Sequence, residues 1–143
     1  MTGDADQEAV EAISEWAWEM GIVFQMTDDV LDLVANEEFL GKAAGSDIGE
    51  GVYTLPVLLA ADGPDGPEIR GLLGGEEPIE QDAIDRVIEL AVSGGYVDRV
   101  LDHAIERIRI AEKAANRIPE SDLSPVLGNL DSYILDRVAT ART

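Results

Sequence analysis

Gly21-Ile22-Val23-Phe24-Gln25-Met26-Thr27-Asp28-Asp29-Val30-Leu31-Asp32 sets three aspartates into an otherwise apolar run. Asp is a poor residue for a helix interior, costing roughly a few tenths of a kcal/mol against Ala. If the run is helical, Asp28 and Asp32 stand four apart and share a face. Gln25 lies one turn earlier on that side, and Asp29 flanks the pair. Like charges one turn apart repel. Ile22, Val23, Phe24, Val30, Leu31 and Leu33 mark a mostly buried helix, where carboxylates need partners. A hard divalent cation with oxygen ligands, Mg²⁺ above all, is one such partner. A solvated acidic face on an acid-rich chain is the other reading these residues allow.

The helical pattern extends outward from this stretch. Ala9, Ile13, Trp16, Met20 and Val23 keep three-to-four spacing, and one helix is expected from Gln7 to about Asn36. Its only glycine, Gly21, offers a place to bend. Asp4 or Asp6 is the expected N-cap. The glycine-rich stretch from Leu40 to Gly51 reads as a loop. Val52 to Ala61 reads as a buried helix with Pro56 in its first turn, where the missing N–H is tolerated. Asp62 to Pro67 (DGPDGP) is a turn cluster, and Glu68 to Leu73 a short helical turn.

Glu80 to Ser93 repeats Ile84, Val87, Ile88 and Ala91, and Gly94-Gly95 closes that helix. Tyr96 to Ile118 carries the stripe Val97, Val100, Leu101, Ala104, Ile105, Ile108 and Ala111, ended by Pro119. Leu123 to Val138 is a last helix, with Leu127, Leu130, Ile134 and Val138 expected inward. No alternating strand pattern of useful length appears. The fold class is therefore all-α, and residues 1–143 read as a single helical domain.

Composition narrows the function. The chain has 143 residues, 30 acidic and 10 basic, for a net charge of −20. Nucleic-acid phosphates demand the opposite sign, so no nucleic-acid partner is expected. With no Cys, thiolate metal sites and disulfides are excluded, and one His, His103, excludes poly-histidine sites. No apolar run approaches the ~20 residues of a membrane span, so no stable membrane insertion is expected. The polar, acidic start MTGDADQEAVEA is the reverse of a signal peptide, which leads to the expectation of a cytoplasmic protein. Trp16 is expected in the core and Trp18 at the surface or an interface. His103 reads as a flanking residue, and Arg107 and Arg109 as a salt-bridged face with Glu106 and Glu112.

Two further segments follow the aspartates in order: Leu40-Gly41-Lys42-Ala43-Ala44-Gly45-Ser46-Asp47, then Glu50-Gly51-Val52-Tyr53-Thr54-Leu55-Pro56-Val57-Leu58. Taken together, FQMTDDVLDL, LGKAAGSD and EGVYTLPVL resemble the second aspartate-rich region of the trans-isoprenyl diphosphate synthases, or polyprenyl synthetases. The likeness runs from about Gly21 to Leu59. It implies the C-terminal part of an isoprenoid-synthase-type helical bundle.

The resemblance also implies roles. Asp28, Asp29 and Asp32 match the motif that holds Mg²⁺ on an allylic diphosphate, with Asp28 the best single ligand and a catalytic residue. Lys42 matches a lysine that binds that diphosphate, and it joins Asp28 in the catalytic set. Gln25, Phe24 and Asp29 match residues beside the substrate cavity. The implied reaction is ionisation of an allylic diphosphate, attack by isopentenyl diphosphate and loss of a proton, giving linear isoprenyl diphosphates. Val52 stands where the family has a second lysine. Family members are much longer, and the first aspartate-rich motif, the basic isopentenyl diphosphate site and a Lys-Thr pair find no counterpart here. The implied state is therefore a homo- or hetero-oligomer with a chain carrying that first motif. Failing that, the implied role is a non-catalytic, regulatory subunit of a complete synthase. The resemblance also implies a diphosphate contact for Arg137, near the C-terminus, as C-terminal basic residues make in some family members.

Overall fold

The computed structural model describes residues 3–34, 45–75, 78–118 and 123–142. These residues form seven helices: α1 (Gly3–Val34), α2 (Ser46–Gly49), α3 (Leu55–Ala61), α4 (Gly66–Leu73), α5 (Gln81–Ser93), α6 (Tyr96–Asn116) and α7 (Leu123–Arg142). No strand occurs among the described residues, so the all-α expectation holds. No described helix is long and apolar enough to cross a membrane. The chain divides into two compact units: one is residues 1–27 with 102–143, the other residues 28–101. Each of α1 and α6 contributes one end to each unit.

In the first unit, α1 buries Ala12, Trp16, Met20 and Val23, spaced as a 3.6-residue repeat requires. The later part of α6 buries Ala104, Ile108, Ala111 and Ala114, and α7 buries Leu127, Ile134 and Val138. Small alanines on α6 leave room for the larger side chains of its neighbours. Polar groups also enter this core. Trp16 Nε1 donates to Asp131 Oδ1 at 3.1 Å across 115 residues of sequence. Arg107 Nη1 donates to both carboxylate oxygens of Glu19, at 3.2 and 3.1 Å, and Glu19 is only 7% exposed. Arg117 pairs with Glu15 nearer the surface.

Three expectations need correction in this unit. The helix begins at Gly3, so Asp4 and Asp6 lie inside it and neither is its N-cap. Leu130 is exposed, because Asp131, drawn inward by the Trp16 N–H, takes the place in the stripe. Arg107 turns away from its own helix face to meet Glu19 on α1. His103 is exposed.

In the second unit, Val30, Leu31 and Leu33 from the end of α1 are buried. So are Ile48, Val57, Ala60, Ile69, Ile84, Val87, Leu90, Val97, Val100 and Leu101. Each fully buried branched side chain contributes about 1.5–3 kcal/mol. Pro56 occupies the first turn of α3, as its fixed φ favours. Inside the expected 40–51 loop, Ser46–Gly49 closes one helical turn, α2, which buries Ile48. The glycines on either side hid it from the sequence pattern. On the surface Glu68 accepts from Arg86 at 2.7 Å, and this partner holds the Glu68 carboxyl below its usual range.

Candidate functional site

The aspartates ride on the last turns of α1, in the second unit. The buried Val30, Leu31 and Leu33 fix which way this end of the helix faces, and that sets the depth of the acids. Asp28 and Asp29 are half-buried, while Asp32 is only 4% exposed. A carboxylate at that depth needs hydrogen-bond donors or a cation.

Asp32 is tied twice to the segment that begins at Gly45. Its backbone oxygen accepts from Gly45 N at 2.8 Å, and its Oδ1 lies 3.4 Å from the Ser46 hydroxyl, which donates to it. Gly45 is required there on two counts. Its φ of 76° is left-handed, and a Cβ would come within 2.6 Å of Ile84 Cγ2 and 2.8 Å of Ile88 Cδ1. The Gly-Ser-Asp triplet therefore seats against both the aspartate helix and α5. Asp47 follows in α2, and its backbone oxygen accepts from Val52 N at 2.8 Å, which turns the chain into Val52-Tyr53-Thr54. Thr54 is buried, and its hydroxyl has no hydrogen-bond partner among the described residues. Val52 is 52% exposed, so an apolar side chain meets solvent there.

Lys42 lies outside the described residues. Phe24 and Gln25 belong to the first unit and are exposed on α1. Thr27, fully buried, donates its hydroxyl to the Val23 and Phe24 backbone oxygens at 3.0 and 2.9 Å. That bond keeps a polar side chain inside the helix without a distant partner. The Arg137 guanidinium lies over the Phe24 ring, 4.9 Å from its centroid. Trp16 is buried and Trp18 is 70% exposed, as expected of both.

Chemically, Asp28 and Asp32 offer hard oxygen donors on one side of a helix. Among the described residues no group of three or more Asp, Glu or His is arranged to hold a metal by itself. That donor set fits Mg²⁺, which keeps several waters and is usually held by one or two carboxylates plus phosphate oxygens. Ser46 and Gly45 belong to the motif, but nothing in local helical pattern announces their attachment to Asp32. The Gly-Ser-Asp triplet was the available signal.

The pattern of the family described as Polyprenyl synthetase matches residues 1–91. A short chain isoprenyl diphosphate synthase from Methanothermobacter thermautotrophicus is 34% identical over 141 residues, covering 96% of this chain and 42% of the relative. A chloroplastic solanesyl-diphosphate synthase 2 from Oryza sativa is 33% identical over 128 residues, covering 90% of this chain and 31% of the relative. Among solved structures, geranylgeranyl pyrophosphate synthase from Corynebacterium glutamicum, complexed with calcium and isoprenyl diphosphate, superposes with a TM-score of 0.77 at 34% identity. That match covers 92% of this chain and 41% of the other. The chain thus spans between 31% and 42% of the length of these relatives.

Proposed function

The chain belongs to the polyprenyl synthetase family, and on that premise we propose that it is the component of a trans-prenyltransferase that holds the allylic diphosphate. Asp28, Asp29 and Asp32 are its metal ligands, Asp28 and Lys42 its catalytic residues. Phe24, Gln25, Asp29 and Lys42 contact the substrate. The observation that carries this reading is the double tie of Asp32 to Gly45 and Ser46, which joins the aspartate helix to the Gly-Ser-Asp that follows it.

In the reaction, the allylic C–O bond breaks and its electron pair leaves on the diphosphate. The double bond of isopentenyl diphosphate then supplies the electrons of the new C–C bond, and a proton departs. When bound, Mg²⁺ acts as a Lewis acid on the leaving diphosphate. Asp28 and Asp32 hold that charge in place, and Lys42 adds a compact positive charge to the same anion. No side-chain nucleophile is called for. The products are linear isoprenyl diphosphates of the geranylgeranyl or polyprenyl type.

The same proposal treats the whole chain as one part of a polyprenyl synthetase domain, completed by a chain carrying the first aspartate-rich motif. Val10, Trp18, Leu58 and Tyr133 are each large, apolar and exposed, which supports assembly with another chain. The test is incubation with Mg²⁺, radiolabelled isopentenyl diphosphate and an allylic diphosphate, alone and after mixing with that second chain. The expected result is no product alone and product on mixing. Asp28→Ala should abolish it, and Lys42→Ala should weaken it through allylic diphosphate affinity. Robust Asp28-dependent product from the lone chain would overturn the divided site. Val52 favours a second reading, a non-catalytic subunit that modulates a complete synthase. In that case stimulation would survive Asp28→Ala.

A further inference from the structure

Arg70 is one of ten basic residues in a chain with 30 acids, yet no carboxylate among the described residues pairs with it. Glu68, two positions earlier, is taken by Arg86. The Arg70 guanidinium instead donates through Nη1 to the Ala61 backbone oxygen. That carbonyl sits in the last turn of α3, beyond the reach of the helix's own N–H groups. Gly66 makes the crossing possible: a Cβ there would come within 2.2 Å of Ala61 O and 3.0 Å of Arg70 Nη1. One N–H thus anchors the fork, and its other donors have no partner among the described residues. The anchored head borders a cavity of about 310 Å³ formed by α3, α4 and Tyr53, all within the second unit. Val57, Leu58, Ala61 and Leu73 give it apolar walls, and Arg70 is the only charged side chain among the described residues that line it. Tyr53 and Leu58 are 38% and 51% exposed, so the cavity opens to water on their side.

We propose that this cavity is a binding site for a small apolar monocarboxylate of the medium-chain fatty-acid type. Its carboxylate lies on Arg70 and its hydrocarbon body against Val57, Leu58 and Leu73. None of Asp28, Asp29 and Asp32 lines the cavity, so the site is separate from the one proposed for the allylic diphosphate. Three features select this ligand class. Apolar walls with one polar anchor are the composition of a small-molecule site. The volume lies at the lower end of the about 300–1,000 Å³ that such sites span, which calls for a short body. The anchor is a planar fork, which matches the two oxygens of a carboxylate better than a point charge does. A net charge of −20 repels anions in general, so an anion held here is held by Arg70.

The test is calorimetric titration of the 143-residue chain with octanoate and with 1-octanol. Octanoate should bind, and 1-octanol more weakly. Arg70→Met should weaken octanoate roughly five- to tenfold, between the exposed and desolvated limits of a charged hydrogen bond, and leave 1-octanol unchanged. From hexanoate to octanoate, affinity should rise about three- to fourfold for each methylene buried. Leu58→Asp, which sets a carboxylate at the half-exposed mouth, should abolish octanoate binding. Inorganic diphosphate with Mg²⁺ should not displace octanoate. A chain that binds no octanoate overturns the proposal. Equal binding of octanoate and 1-octanol overturns it too, and leaves an apolar contact of the kind a partner chain covers. Equal loss of both probes in Arg70→Met would make the arginine a cap of α3 and nothing more. Displacement by diphosphate would put octanoate at the aspartates of α1. Either of these last two results refutes the site.

Discussion

Asp32 and Asp131 lie at nearly the same depth, 4% and 8% exposed, one in each compact unit, and they are built for different ends. Asp131 meets a single neutral donor, the Trp16 indole, from the far end of the sequence. Burial raises its carboxyl above the ordinary value, the Trp16 bond opposes that rise, and the Glu112 charge adds to it. Asp32 sits within a few residues of two other aspartates; its carboxylate accepts from the Ser46 hydroxyl, and its backbone oxygen from Gly45 N. The first arrangement uses an acid to fasten one helix to another. The second gathers negative charge where a cation can offset it. Depth alone therefore does not reveal what a buried carboxylate is for; its neighbours do.

The sharpest way to break this comparison is to neutralise both acids in turn. Asp32→Asn should lower the transfer rate of the mixed system by about 10²–10³, as expected when a charge-stabilising element is lost. Asp131→Asn should leave that rate unchanged. Product assays on the two variants decide it, and equal losses would erase the distinction. Gly45→Ala should destabilise the second unit by roughly 2–4 kcal/mol, since left-handed strain adds to overpacking against Ile84 and Ile88. Urea unfolding followed by circular dichroism measures it.

Trp16→Phe removes the donor and leaves Asp131 buried without it, at a cost of about 1–3 kcal/mol. Its melting temperature should fall while Mg²⁺-dependent diphosphate binding persists. The pH response follows from the raised Asp131 carboxyl. Its folded value lies above the ordinary 3.8, so its contribution is fully present below that pH and is lost as pH rises through the folded value. Unfolding midpoints measured upward from pH 3.8 should show a decline that Asp131→Asn flattens. The smallest effect belongs to Thr54→Val. An isosteric methyl replaces a buried hydroxyl that has no partner among the described residues, so the midpoint should hold steady or rise slightly.

Much of this architecture was legible in local pattern. The 3.6-residue repeats located the long helices, Gly94 marked the end of α5, and Pro56 and the DGPDGP cluster bracketed the short α3. The DDVLD run, with LGKAAGSD and EGVYTLPVL behind it, pointed to the acidic end of α1. What escaped were pairings between residues far apart in sequence. Nothing near Arg107 announces Glu19, 88 residues away, when Glu106 and Glu112 stand on its own helix. Helical spacing alone allows either Leu130 or Asp131 to face inward, and only the Trp16 N–H selects the acid. The attachment of Ser46 to Asp32 was hidden in the same way, by glycines that suppress any helical signal around α2.

The placement of the two tryptophans turns α1 into its own optical reporter. Trp16 is buried with its indole bonded to a carboxylate, while Trp18, two residues on, stands in water. The first should emit toward the blue and resist acrylamide, and the second should emit toward the red and quench freely. Release of α7 from α1 would convert the first signal into the second. The fastening of the last helix can therefore be followed by intrinsic fluorescence, with no label added.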